Sequence, residues 1–237
     1  MATLDPPDSD DALVLDSDCR RCPALVDARD RIAWGNGPTD ADVMVVGEAP
    51  AAGDPDAPDW PGGNRSGLAY TSRYSGRRIR SLMANVGVDG AEPRSASSRS
   101  AAGDADAFYT NAVKCYPPDG EGSNREPTPA ERSNCRAHLR AELDAVDPVV
   151  VLPTGKHATV SLLALAGREL DGFLEYVLEP LDCPELGTTV VPLLHPSYAD
   201  VWRSRLGYDR ESYREELRET LRSCGVDASG SPAPGRF

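Results

Sequence analysis

Four cysteines are spaced to hold one metal group. Cys19 and Cys22 form a C-x2-C pair that a tight turn can present to a single centre, and Cys115 and Cys135 form a second pair with 19 residues between them. Four thiolates suit a structural zinc or a 4Fe–4S cluster, and the loose second spacing weakens the zinc-ribbon reading, which usually has two close pairs. Cys183 and Cys224 have no near cysteine neighbour and read as small, semi-buried thiols. A chain of 237 residues with an acidic N-terminus and no apolar leader has little use for a disulfide framework.

A second group of polar residues follows apolar runs. Residues 42–47 predict a buried strand ending at Gly47, followed by Glu48. Residues 107–113 predict a second strand, carrying Asn111. Residues 148–152 predict a third, followed by Thr154 and Gly155, and residues 188–194 a fourth, followed by His195. Helices are expected between them. Ile79, Leu82, Met83 and Val86 mark one face of a helix over 77–86. Thr128-Pro129-Ala130-Glu131 opens another that runs to about Val146, with Thr at the cap and Glu three residues on. Further helices are expected over 156–166, 200–204 and 209–224, and residues 173–178 read as a β-ribbon arm. Strands alternating with helices imply a mostly parallel sheet covered on both faces. Ligands of such sheets bind outside the carboxyl ends of the strands, where these polar residues fall.

Composition sets the surroundings. The net charge is −13, from 38 acids and 25 bases, and only Lys114 and Lys156 among the bases are lysines. Such an Asp-rich, Lys-poor surface suits molar salt, where the Debye length is about 3 Å and self-repulsion is screened. Acidity overall leaves room for a local nucleic-acid groove, because arginine contacts rest on geometry as well as charge. The organisation expected is an acidic disordered N-terminus over 1–18, one domain over 19–224 with a flexible insertion at 89–106, and a mobile tail over 225–237. No apolar run is long enough to span a membrane, and a monomeric cytoplasmic protein is expected.

The motifs occur in a telling order: Cys19-Arg20-Arg21-Cys22-Pro23, Val45-Val46-Gly47-Glu48-Ala49-Pro50, Tyr109 to Pro118 through Asn111 and Cys115, Asn124-Arg125, and Leu194-His195-Pro196-Ser197. Over residues 19 to 222 the chain resembles the family 4 uracil-DNA glycosylases. The resemblance implies a three-layer α/β/α sandwich, a structural 4Fe–4S cluster on Cys19, Cys22, Cys115 and Cys135, and excision of uracil from single- or double-stranded DNA. It implies catalytic roles for Glu48 and His195. Asn111 would read uracil O4 and N3–H, with Gly47, Ala49 and Tyr70 completing the uracil site. Ser197, Tyr198 and Arg203 would contact DNA, and Trp202 would either do so or pack in the core. Ala51 stands where the family has a second Gly, and Tyr70, preferred to Tyr74, stands for a stacking Phe. Asp54 is a weak counterpart of a second family carboxylate. Two other readings remain: a non-catalytic nucleic-acid-binding protein of this fold, and a glycosylase for another deaminated base.

Overall fold

The computed structural model describes residues 12–89 and 105–228. The strands among them are Ala12–Leu13 (β1), Gly35–Asn36 (β2), Val43–Gly47 (β3), Val88–Asp89 (β4), Ala105–Asn111 (β5), Val150–Pro153 (β6), Leu181–Cys183 (β7) and Thr188–Val190 (β8). The helices are Pro23–Ala28 (α1), Gly63–Ser66 (α2), Ser75–Asn85 (α3), Pro129–Val146 (α4), Lys156–Leu163 (α5), Ala199–Arg205 (α6) and Arg210–Ser223 (α7). The sheet runs β1-β2-β5-β3-β6-β8-β7, with β4 pairing β5 off this path. Strands β5, β3, β6 and β8 are parallel, and antiparallel β1, β2 and β7 close its two edges.

Strand β3 is buried throughout and feeds two cores in alternation. Val43 and Val45 pack with Ile79 and Met83 of α3 and with Leu217 and Leu221 of α7. Met44 and Val46 pack with Leu139, Leu143 and Val146 of α4 and with Leu162 of α5. The result is the expected three-layer α/β/α sandwich. Helix α4 begins as its sequence requires. Thr128 accepts the Glu131 N–H at 3.2 Å, and the Glu131 carboxylate accepts the Thr128 N–H at 2.7 Å. Arg125 donates twice to that carboxylate, tying the preceding loop to the helix start.

Several boundaries differ from expectation. Disorder over 1–18 is corrected at Ala12–Leu13, which hydrogen-bonds to β2 as an edge strand; residues 1–11 lie outside the described part. The insertion is flanked by paired residues, since Val88 and Asp89 lie opposite Ala105 and Asp106; residues 90–104 lie outside the described part. Within the tail expected over 225–237, Val226 and Ala228 are buried in the core; residues 229–237 lie outside the described part. The ribbon expected over 173–178 is a single 3-10 turn, Leu174–Tyr176, and the antiparallel ribbon is made by β7 and β8. Among the described residues no helix is long and apolar enough to cross a membrane.

Candidate active site

Register brings the polar residues together. Strands β3 and β5 pair so that Gly47 lies opposite Asn111. Thr154, just past β6, bridges Leu193, two residues before His195. Four separate segments thus end at one rim of the sheet.

Gly47 is where the site is tightest. A Cβ there would run into the Asn111 carboxamide oxygen and lie 2.8 Å from the Tyr70 hydroxyl. Glycine is required because the Asn111 and Tyr70 side chains occupy the space beside its backbone. Gly47→Ala should therefore cut activity by about tenfold or more by displacing Asn111, with a stability loss of about 1–3 kcal/mol from overpacking. Steady-state kinetics and a melting curve on the same sample check both.

Asn111 is buried, and its Nδ2 has no hydrogen-bond partner among the described residues. Behind it lies a buried ion pair that sequence reading left without a role. Lys114 Nζ bonds Glu142 at 2.5 Å, Thr110 Oγ1 at 2.6 Å and the Asn111 carbonyl at 2.5 Å. Glu142 also accepts the Gly35 N–H at 3.1 Å and the Thr110 hydroxyl at 2.6 Å. The backbone at Asn111 is thereby fixed while its amide stays free for a ligand.

Tyr70 is buried beside Gly47 and donates to or accepts from Thr154 Oγ1 at 2.6 Å. Its backbone is left-handed, with φ 55°, which is costly for a ring-bearing residue. Arg80 holds it there, donating to the Tyr70 carbonyl at 3.2 Å and to Asn36 at 2.6 Å, with its guanidinium over the Tyr109 ring at 3.9 Å. Burial raises the Tyr70 hydroxyl well above its ordinary range, so it stays protonated. Tyr74 is 72% exposed and lies off this cluster.

His195 sits against Gly155, where an added Cβ would come within 3.0 Å of the His195 Cβ. The Ser197 N–H donates to His195 Nδ1 at 3.2 Å, so the neutral ring carries its proton on Nε2. Burial, and then the charge of His157, lower its pKa and favour that neutral ring. Glu48 is half-buried. Burial raises its carboxyl, His157 and Arg132 lower it, and Glu126 raises it. His157, absent from the sequence reading, meets Glu126 at 2.9 Å. Its only sequence signal was its place two residues after the strand-end Gly155.

Ala49, next to Glu48, packs on the cysteine group, where Cys115 and Cys135 are buried with Leu25 and Val113 and Cys22 lies against them. Burial raises the thiols of Cys115 and Cys135, and Arg29 works against it at Cys115. Arg29 donates to the Cys115 sulfur at 3.2 Å and Asn134 to the Cys22 sulfur at 3.3 Å, while His138 Nε2 lies 3.5 Å from the Cys19 sulfur. No disulfide joins any of the six cysteines. Among the described residues, Asp16, Cys19 and His138 are the only three potential ligands whose ligand atoms lie within 4.8 Å of one another; no three of the four sulfurs do.

The profile of the uracil DNA glycosylase superfamily matches residues 34–222. The chain belongs to that superfamily. It is 32% identical over 225 residues to a type-5 uracil-DNA glycosylase of Pyrobaculum aerophilum, covering 89% of each chain. It is 26% identical to a type-4 uracil-DNA glycosylase of Archaeoglobus fulgidus, over 87% of this chain and 88% of that one. A type-4 uracil-DNA glycosylase of Thermotoga maritima is 27% identical over 76% of this chain and 77% of its own length. Similarity thus reaches both types, and the narrower resemblance to family 4 rests on the motifs.

At the rim of this superfamily member, Tyr198 is 63% exposed and its ring centroid lies 5.7 Å from that of His195. Ser197 is exposed, but its N–H is engaged by His195, which leaves only the hydroxyl for a phosphate. Arg203, expected to contact DNA, is paired within its own helix. Its side chain is 14% exposed and donates to Asp200 at 2.6 Å, because an i,i+3 acid on α6 is nearer than solvent. Trp202 packs against the core, under the Arg205 guanidinium at 4.6 Å. Asp54 accepts the Asp56 N–H at 2.9 Å within its own turn.

Proposed function

We propose that this chain flips uracil out of DNA and hydrolyses its N-glycosidic bond, leaving an abasic site. Asn111 carries the reading. A buried amide donor without a partner costs roughly 1–3 kcal/mol, a cost removed when a ligand acceptor arrives. Uracil offers O4 to that donor and N3–H to the carboxamide oxygen. His195, neutral and protonated on Nε2, would donate to O2 as negative charge leaves the sugar for the base. Glu48 would position water or stabilise the cationic sugar. Gly47 and Ala49 give the backbone its close approach, and the Tyr70 ring would flank the base. Tyr198 and the Ser197 hydroxyl would meet the DNA strand.

The family 4 reading rests on Gly47-Glu48-Ala49-Pro50 and on the four cysteines. Thiolates around one tetrahedral zinc lie about 3.8 Å apart, for bonds of about 2.3 Å. Cys115 and Cys135, buried together with Cys22 packed against them, offer the thiolate set that a 4Fe–4S group takes, with zinc as the alternative. Such a cluster would supply a structural tie between the N-terminal segment, the end of β5 and α4. A salt-adapted origin is supported by the net charge of −13 and the two lysines.

The test is release of free uracil from uracil-containing single- and double-stranded DNA in high salt, without magnesium. Iron and sulfide are assayed on the same protein. Brown protein that liberates uracil is expected. Intact, iron-loaded protein that binds DNA but frees no base across salt conditions would sink the proposal, and release of other bases alone would redirect it.

A further inference from the structure

Arg29 reaches the cysteine group from a fixed place. It follows α1, which winds directly from Cys22: the Leu25 and Val26 N–H groups donate to the Cys22 carbonyl at 3.0 and 2.9 Å. The Arg29 N–H closes the helix on the Leu25 carbonyl at 3.0 Å. The residues that follow are held as well. The Asp30 N–H donates to Asn64 Oδ1 at 2.9 Å, and the Ala33 N–H to the Lys114 carbonyl at 2.7 Å. From this helix end the half-buried guanidinium turns back across the site. Nη2 donates to the Cys19 carbonyl at 2.7 Å, and Nη1 to the Cys115 sulfur at 3.2 Å. One side chain thus joins the C-x2-C turn to the segment that follows β5.

The neighbouring side chains are of a different kind. Asn134 Nδ2 meets the Cys22 sulfur at 3.3 Å and the Arg21 carbonyl at 3.0 Å, and His138 Nε2 lies 3.5 Å from the Cys19 sulfur. Asparagine is neutral, and a neutral imidazole nitrogen can donate or accept. Arg29 alone among these three carries a permanent charge. The sulfur it meets is buried, where a bare thiolate is disfavoured. Asp16 adds to the negative side, with a carboxylate oxygen within 4.8 Å of the Cys19 sulfur. Four thiolates outweigh the charge of zinc and of a 4Fe–4S core alike, so either loaded group is an anion.

We propose that Arg29 is the clasp of the metal group on the four cysteines: its guanidinium donates to the Cys115 thiolate, offsets the negative charge of the loaded site and locks the Cys19–Cys22 turn against it. The proposal rests on the cysteine-site reading given above and holds for iron–sulfur or zinc. The planar fork matters. It reaches a sulfur and a carbonyl together, whereas an ammonium is a single point on a flexible stem. A donor aimed at a ligand sulfur steadies that ligand. In an iron–sulfur group it also favours the more negative, reduced state, and so raises the reduction potential.

The experiment is metal retention by the full-length protein as purified, with iron, sulfide and zinc assayed at the start. Arg29→Met should lose its metal to excess chelator about tenfold faster or more, the scale on which partners of metal ligands act. Arg29→Lys keeps the charge without the fork and should fall between that variant and wild type. Arg20→Met removes an equal charge beside Cys19, from an exposed residue with no sulfur contact among the described residues. It should stay within about twofold of wild type, because an exposed charge is screened. In iron-loaded protein Arg29→Met should also lower the midpoint potential, a reading that lost packing alone would not move. Metal held by Arg29→Met as long as by wild type would overturn the proposal. So would Arg20→Met losing metal as fast as Arg29→Met, which would make net charge the cause. Where Arg29→Met does not fold, Arg29→Lys decides: faster loss upholds the clasp, and loss at the wild-type rate overturns it. A wild-type protein that holds neither iron nor zinc would overturn the cysteine-site reading along with the clasp, whereas metal held equally in every variant would overturn the clasp alone.

Discussion

Asn111→Ala should lower kcat/KM for uracil release by about a thousandfold while leaving the melting temperature unchanged or slightly raised. Two hydrogen bonds to the base are lost, each about 2 kcal/mol in a buried site, and about 1.4 kcal/mol corresponds to tenfold in rate. The stability forecast has a separate origin. Asn111 Nδ2 is buried without a partner among the described residues, so truncation removes a group that the ligand-free fold holds at a cost. An ordinary structural asparagine would behave the other way, losing stability and keeping activity. Kinetics and thermal unfolding on one preparation separate the two, and a destabilised but active variant would refute the role of Asn111 as base reader.

Lys114→Met should lower the melting temperature by about 6–20 °C. Lys114 and Glu142 are buried almost completely, at 1% and 0% exposure, and the ammonium is the only cation among the contacts described for Glu142. Removing one member of a buried pair leaves the other charge uncompensated and costs about 3–5 kcal/mol. In a chain of this size each kcal/mol moves the midpoint by about 2–4 °C. Lys114→Met combined with Glu142→Leu should recover much of the loss, because both ions leave together. Recovery stays partial, since the Gly35 N–H and the Thr110 hydroxyl then lose their acceptor. A single variant that melts with the wild type would show that the pair does not hold the strand end. Uracil release should fall in the single variant too, because Lys114 Nζ also fixes the Asn111 carbonyl.

The layers and the row of strand ends were legible because their signals are local. Val43 to Val46 is a run of apolar residues closed by glycine, and Thr128-Pro129-Ala130-Glu131 is a complete helix start. Which strand end lies beside which was not legible. The pairing of Gly47 with Asn111 comes from sheet order, which no window of sequence contains. Strands β1, β2 and β7, of two or three residues, have no period to read. Helix α4 did hold an unused signal. Cys135, His138, Leu139, Glu142, Leu143 and Val146 are all buried and fall on one stripe, so the acid and the imidazole within it demanded internal partners. One of only two lysines was the partner of the acid. Tyr70 was placed by ring type alone; its left-handed backbone depends on Arg80, ten residues away, and could not be foreseen. The pairing of Arg203 with Asp200, an i,i+3 acid on the same helix, was likewise not read from the sequence.

Residues 111–115 carry the buried Asn111 amide at one end and a sulfur of the cysteine group at the other, with the buried ammonium between them. Ala49, adjoining Glu48, leans on the same sulfurs. Oxidation of those thiols would slacken the backbone that carries Asn111, the residue proposed to read the base. Tolerance of oxidative stress and clearance of deaminated cytosine would then rise and fall together through five residues of chain.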